Sequence, residues 1–206
     1  VISRLYDIGL KVGLTPTGEN LLRRSVYRAL YPYVKTGDHI LDLCCGTGTL
    51  TIFLKKLLFK DCKITGIDLS YGQITQARKK NNYPNLKFYV MDANDLKFPN
   101  GFFNHVVISA ALHEMNKKQR LNVLSEVYRV LKKGGTLIIF EHHEPSKSSL
   151  RILYNFYLGF IENLTSHSSE MQRNILQELK ESGFSVLCQK LIKNFLNFFQ
   201  IIISFK

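Results

Sequence analysis

The stretch Ile40-Leu-Asp-Leu-Cys-Cys-Gly-Thr-Gly48 carries residue types that serve a ligand better than a core. Gly46 and Gly48 fall in a loop between an apolar run and a helix-forming run. Glycines there let the backbone come close to a bound molecule at the carboxyl end of a strand. Asp68 ends the next apolar run. A carboxylate at that place can accept hydrogen bonds from two ribose hydroxyls. A lone Gly-x-Gly says little, but strand, glycine loop, helix, strand and terminal Asp in this order point to an adenosine-type ligand.

A dinucleotide loop would continue as Gly-x-Gly-x-x-Gly/Ala, with pyrophosphate on the helix N-terminus. Here that third position is Thr51, which argues against a nicotinamide dehydrogenase. Asp42 lies inside the first run, just before the loop. A carboxylate there suits a ligand with an ammonium group and no phosphate. S-adenosylmethionine, with its adenosine, sulfonium and amino-acid tail, has that chemistry.

A second group of reactive types follows later strands. His113-Glu114 comes after residues 104–109, and Glu141-His142-His143-Glu144 comes after residues 136–140. Both should face the crevice at the carboxyl ends of parallel strands. Histidine is suited to general-base work near neutral pH. The acid-and-His mixture also raises a metal site, but no fixed helical His spacing and no Cys pair supports one, so none is expected. The Cys residues form no Cys-x-x-Cys. Cys44, Cys45, Cys62 and Cys188 are expected to pack as small apolar side chains.

The elements that must hold these residues read as an alternation. Strands are expected at 39–44, 62–67, 86–91, 104–109 and 136–140, and helices at 47–58, 71–81 and 117–132. Ser70 is a good N-cap. Before them come a helical opening over 1–12, a Gly-Leu-Thr-Pro-Thr-Gly break, and a basic amphipathic stretch over 19–31. After Pro145, residues 149–164 are apolar nearly all round and must be covered. A polar helix over 168–181 and strands near 184–190 and 197–205 close the chain. This pattern implies a doubly wound α/β domain with a mostly parallel sheet.

Composition sets the frame. The 206 residues suit one domain, and 45% hydrophobic with 21% charged residues is ordinary for a globular chain. The net charge is +12, with basic residues spread along the chain. A dispersed excess reads first as solvated helix faces, and an anionic substrate, membrane surface or nucleic acid stays open. The run from Phe195 to Phe205 falls short of the ~20 residues that span a bilayer. Arg4, Asp7 and Lys11 interrupt any signal-peptide pattern. The expectation is a soluble cytoplasmic protein.

At this point the residues resemble a family. Ile40 to Gly48 is similar to motif I of the class I S-adenosylmethionine-dependent methyltransferases, and the Cys-Gly-Thr-Gly wording is nearest to the ubiquinone/menaquinone-biosynthesis group. Gly66-Ile-Asp-Leu-Ser70 resembles the second-strand motif. Asp92-Ala-Asn-Asp-Leu-Lys-Phe-Pro99 is similar to the adenine-contacting segment. Ser109-Ala-Ala-Leu-His113 resembles the end of the fourth strand. Leu131-Lys-Lys-Gly-Gly135 resembles the stretch running into the fifth. The likeness covers about residues 36–145. Cys44 stands where Gly is usual, Asn104 replaces a common Asp, and the region after Pro145 matches poorly.

The resemblance implies a seven-stranded sheet in order 3-2-1-4-5-7-6, last strand antiparallel, under an N-terminal helical lid. It divides a single methyltransferase domain into a lid (1–35), a cofactor-binding core (36–145), a substrate-cover insertion (146–166) and a C-terminal helix with two strands (167–206). It implies that Asp42, Cys44, Gly46, Thr47 and Gly48 cradle the methionine part. Asp68 would hold the ribose, with Leu69 beside it. Gln73 would flank the adenine, Asp92 would reach its amino group next to Ala93, and Ser109 would line the cofactor. Tyr6, in a Tyr-Asp pair found near the start of many such enzymes, joins His113 and Glu141 as candidates facing the acceptor.

The expected reaction is methyl transfer to a small, apolar or amphipathic acceptor, motivated by the aromatic segment 149–164. A lipid-like or anionic acceptor and peripheral membrane contact stay open, as does the oligomeric state. Nucleic-acid methylation is the alternative raised by the charge. Against it, no Asn/Asp-Pro-Pro-aromatic tetrapeptide follows the fourth strand, and no Cys ends strands four or five. A non-catalytic module that binds S-adenosylmethionine is the other alternative.

Overall fold

The computed structural model describes residues 16–143, 168–192 and 199–206. The helix α1 (Pro16–Leu30) and a 3-10 turn (Tyr31–Tyr33) lead into β1 (His39–Leu43). The chain then alternates through α2 (Thr49–Leu57), β2 (Lys63–Asp68), α3 (Tyr71–Lys80), β3 (Leu86–Val90), β4 (Phe103–Ser109), α4 (Lys117–Val130) and β5 (Leu131–His142). It ends with α5 (Ser168–Glu181), β6 (Ser185–Leu191) and β7 (Phe199–Phe205).

The seven strands order as β3-β2-β1-β4-β5-β7-β6. β1 pairs in parallel with β2 and β4, and β7 runs antiparallel to both β5 and β6. This is the topology expected from the sequence. β1 lies centrally because Ile40, Leu41 and Leu43 are all fully buried, so both faces of the strand are apolar. One face of the sheet packs against α1, α2 and α3 through Leu22, Val26, Leu30, Leu54 and Ile74. The other packs against α4 and α5 through Val123, Val127, Met171 and Ile175. The described part of the N-terminal region thus forms a layer on the sheet.

Local chemistry sets the helix starts. Ser70 accepts the Gln73 N–H and caps α3, as expected. Asn116 and Gln119 form a reciprocal capping box on α4. α1 begins at Pro16, ahead of the expected Glu19, because a proline in the first turn lacks an N–H that would go unused there. β5 also exceeds its expected span. Leu131 already pairs with Phe103, and an irregularity follows before Thr136 meets His105. The edge strand β3 is blunted by α3: Arg78 donates twice to the Phe88 carbonyl, and Asn81 donates to the Leu86 carbonyl.

The expected helix at 1–12 and the apolar segment 149–164 lie outside the described residues, as do Tyr6 and Glu144. No helix among the described residues is long and apolar enough to cross a membrane.

Candidate functional site

A cavity of about 440 Å³ opens at the carboxyl ends of β1, β2 and β4. This is where an open parallel sheet binds ligands. Its wall includes Cys44, Gly46, Asp68, Leu69, Gln73, Asp92 and Ala93, all singled out from the sequence.

Asp68 organises the floor. Its Oδ2 accepts the Gly46 N–H at 2.9 Å, and its Oδ1 accepts the Ser70 N–H at 2.9 Å. One carboxylate therefore ties the glycine loop to the start of α3 and still borders the cavity. Asp92 turns its Oδ1 to the Asn94 N–H at 2.8 Å and to the Asn94 amide at 2.9 Å. Those two hydrogen bonds hold its carboxyl below the ordinary range. The Gln73 Oε1 is buried with no described partner.

The two loop glycines do different work. Gly46 has φ +55° and nothing within 4 Å of where a Cβ would sit, so its freedom is spent on the open cavity. Gly48 has φ +74°, and a Cβ there would lie 2.7 Å from the Phe88 ring and 2.9 Å from Ala77. Gly48 lets α2 start against β3 and α3, and it does not line the cavity. Cys44 takes φ +59° without being glycine. Burial pushes its thiol up, and Asp68 and Asp42 push it further, so the sulfur is a neutral wall atom and no nucleophile.

Asp42, Thr47 and Ser109 are not among the lining residues either. Asp42 is 1% exposed and sits behind the loop. Thr51 Oγ1 donates to its Oδ2 at 2.6 Å, while its Oδ1 is buried with no described partner. Burial, reinforced by Asp68, raises its carboxyl to about 7 against the Thr51 hydrogen bond. The Thr47 hydroxyl accepts from Lys80 Nζ at 2.9 Å. Ser109 ends β4.

His113 and Glu141 meet, but behind the cavity. His113 Nδ1 lies 2.8 Å from Glu141 Oε2, and both side chains are buried. Glu141 Oε1 also accepts the Ala111 and Leu112 N–H groups at 2.7 Å each. Burial alone would disfavour the charged carboxylate. The His113 charge and hydrogen bond, His142 and the Leu112 N–H outweigh it and hold the carboxyl at about 2. The clamp fixes the turn after β4, where Ala110 has φ +50° and, with Ala111, lines the cavity. Among the described residues, no group of three His, Cys, Asp or Glu side chains is placed to hold a metal.

The cavity also takes in Glu114, which the sequence placed at the crevice beside His113, and Ile67, Ser70, Met91, Asn94, Ala110, Ala111, Met115 and Gln119, which it did not single out for binding. Met115 and Gln119 lie past the end of the β4 motif, where apolar or polar type alone carries no ligand signal.

Comparison with known proteins adds to this geometry. Residues 40–135 match a family described as a methyltransferase domain. An uncharacterized methyltransferase of Synechocystis sp. is 32% identical over 154 residues, covering 75% of this chain and 70% of the relative. A demethylmenaquinone methyltransferase of Lysinibacillus sphaericus is 33% identical over 129 residues, covering 62% of this chain and 54% of the relative. The chain thus spans about half the length of that enzyme. An S-adenosylmethionine-dependent methyltransferase structure from Mesorhizobium loti superposes with a TM-score of 0.70 at 19% identity, over 90% of this chain and 98% of the other. At that identity the likeness is one of fold.

Proposed function

Since the chain belongs to the class I S-adenosylmethionine-dependent methyltransferases, related to the demethylmenaquinone and ubiquinone type, we propose that it methylates a small apolar or amphipathic acceptor of quinol-like character. The observation that carries the proposal is the mixed lining of the cavity wall. Asp68, Gln73, Asp92, Asn94, Glu114 and Gln119 give polar groups, and Ile67, Leu69, Met91, Ala110, Ala111 and Met115 give apolar surface among them.

The residues fit the cofactor. Gly46 leaves an open cradle, Asp68 offers its carboxylate to the ribose, and Gln73 and Asp92 border the place for adenine. The orphaned Oδ1 of Asp42 suits an ammonium group reached through the loop. The bound sulfonium supplies an activated methyl group whose bond to sulfur breaks as the bond to the acceptor forms. The protein's part is then to align the acceptor and exclude water. In this reading Glu141 and His113 position the turn at Ala110–Leu112, and a base is needed only for an acceptor protonated at working pH. The segments 1–35 and 146–166 are the proposed covers of the acceptor.

Calorimetric titration with S-adenosylmethionine tests the cofactor part. Micromolar binding is expected, weakened at least tenfold in Asp68→Ala. No heat at high micromolar cofactor would overturn it. Radiolabelled methyl transfer to short-chain demethylmenaquinol and other apolar phenols tests the acceptor class. Binding without transfer to any of them would reject the acceptor class and leave the cofactor site standing.

A further inference from the structure

Part of the basic excess behind the net charge of +12 gathers at one end of the fold. The cavity end carries Asp68, Asp92 and Glu114 in its wall, with Lys117 and Lys118 exposed at the start of α4 beside it. The opposite end, where the parallel strands begin, is basic. Lys63 opens β2, Lys87 lies in β3, and Lys132 and Lys133 lie at the start of β5. Lys35 precedes β1, and Lys56 and Lys60 flank the end of α2. All these lysines are exposed. Lys35, Lys56, Lys60, Lys63, Lys87 and Lys133 make no ion pair with a described residue. Of the acids at this end, Asp38 is buried against His105 and Glu126 is paired with Arg129, which leaves Asp61 and Glu181 exposed.

Exposed apolar side chains occupy the same end. Tyr31 is 45% exposed, Leu57 41% and Phe59 39%. They belong to the turn before β1 and to the end of α2 with its following loop, so they share the lysine-bearing pole. The Tyr31 and Phe59 rings stack with centroids 6.1 Å apart. Phe102, also exposed, packs its ring 4.7 Å from His39 at the start of β1.

We infer that this pole is a docking surface for an anionic lipid bilayer. Lysines attract a diffuse negative surface without needing defined geometry, and each contributes near it. Tyr and Phe rings beside them suit the headgroup boundary, and Leu57 suits acyl chains. Nucleic acid is the lesser fit. Leu57 offers no face for a base to stack on, and Arg129 is spent on Glu126 and on the Phe98 and Leu96 carbonyls, which leaves Arg28 as an exposed arginine near Tyr31. Docked this way, the cavity faces away from the bilayer. The surface localises the protein and does not depend on the methyl-transfer reading.

Vesicle co-sedimentation of the full chain tests the inference. At low salt the protein is expected to pellet with phosphatidylcholine vesicles containing phosphatidylglycerol, and to stay in solution with phosphatidylcholine alone. Lys56→Gln/Lys60→Gln/Lys63→Gln should lower partitioning on the order of a hundredfold. Tyr31→Ser/Phe59→Ser should remove the part that survives high salt. Thermal melts and cofactor calorimetry on the same variants separate lost docking from lost folding. Absence of pelleting with anionic vesicles would overturn the inference. So would equal pelleting with both vesicle types, or tight, salt-sensitive binding of a single-stranded RNA oligonucleotide with none to vesicles.

Discussion

Thr51 Oγ1 donates to Asp42 Oδ2 at 2.6 Å, and this hydroxyl is the described partner of a carboxyl that is 1% exposed. One hydrogen bond does not offset the burial, so the carboxyl titrates near 7. An ammonium group bound nearby favours the ionised form. Cofactor affinity should therefore rise as pH passes from about 6 to 8, and Asp42→Asn should flatten that rise and weaken binding at least tenfold. Isothermal titration across this pH range checks both.

The same shift has a stability sign. Unfolded, Asp42 ionises near 3.8; folded, it keeps its proton to about 7. The folded state binds more protons across that window, so stability falls from about pH 4 to pH 7 and the full cost persists above. Asp42→Asn removes this cost, but its amide hydrogens need partners. A gain of about 2 kcal/mol at pH 8 is expected from urea unfolding of the ligand-free protein.

Gly46 and Gly48 should part company on substitution. Gly48→Ala combines a left-handed φ with a Cβ driven into the Phe88 ring, so a loss of about 3 kcal/mol is expected. Gly46→Ala meets no neighbour and should cost only about 1 kcal/mol, while its methyl intrudes on the cavity and weakens cofactor binding more than tenfold. Denaturation and calorimetry on both variants separate the two roles.

The contrast shows what was legible in the sequence. The strands, the loop and Asp68 were readable because each rests on local pattern: apolar runs, glycines and a carboxylate at a strand end; the strand order was what the family resemblance implied. The division of labour between Gly46 and Gly48 was not, since it depends on Phe88, which arrives from β3. The burial of Asp42 was likewise hidden, because a carboxylate inside an apolar run reads the same whether it faces a ligand or a hydroxyl. His113 and Glu141 were marked as reactive types at the correct strand ends. That they face each other, with Glu141 clamping two backbone N–H groups, follows from the parallel pairing of β4 with β5. The clustering of lysines at one pole is a product of topology, which brings Lys35, Lys63, Lys87 and Lys132 together from distant positions.

Glu141→Gln tests the clamp. The neutral amide loses the His113 ion pair and weakens the hold on Ala111 and Leu112 N–H. Removing one member of a buried charged pair costs about 3 kcal/mol. The wild-type carboxyl is held at about 2, below its ordinary 4.5, so its contribution is complete above pH 4.5 and is lost as pH falls from 4.5 to 2. Urea unfolding should show Glu141→Gln less stable at pH 7 and lacking that acid limb. Cofactor affinity should change little, whereas turnover should fall if the turn at Ala110 shapes the acceptor side.

His39 gives a second, separable acid limb. Its ring packs against Phe102 and Phe103, and its Nε2 lies 3.1 Å from Thr65 Oγ1. Burial lowers its pKa to about 4, and the charges of Lys63, Lys132 and Lys87 act in the same direction. Unfolded, the ring takes its proton near 6.5; folded, it resists until about 4. The unfolded state thus binds more protons between these values, and stability falls as pH drops from 6.5 to 4, with no further loss below. Discounted for partial exposure, the fall is about 2 kcal/mol. His105 is also lowered by burial, against the pull of Asp38, and adds to the same window. Asp42 gives the opposite slope over this window, so the comparison belongs in an Asp42→Asn background, where His39→Gln should shrink the decline between pH 6.5 and 4 without abolishing it. It should leave the decline between 4.5 and 2 that belongs to Glu141. A double variant that shows only one of these changes would mean that the two limbs share a cause, and would reject the assignment of separate residues to them.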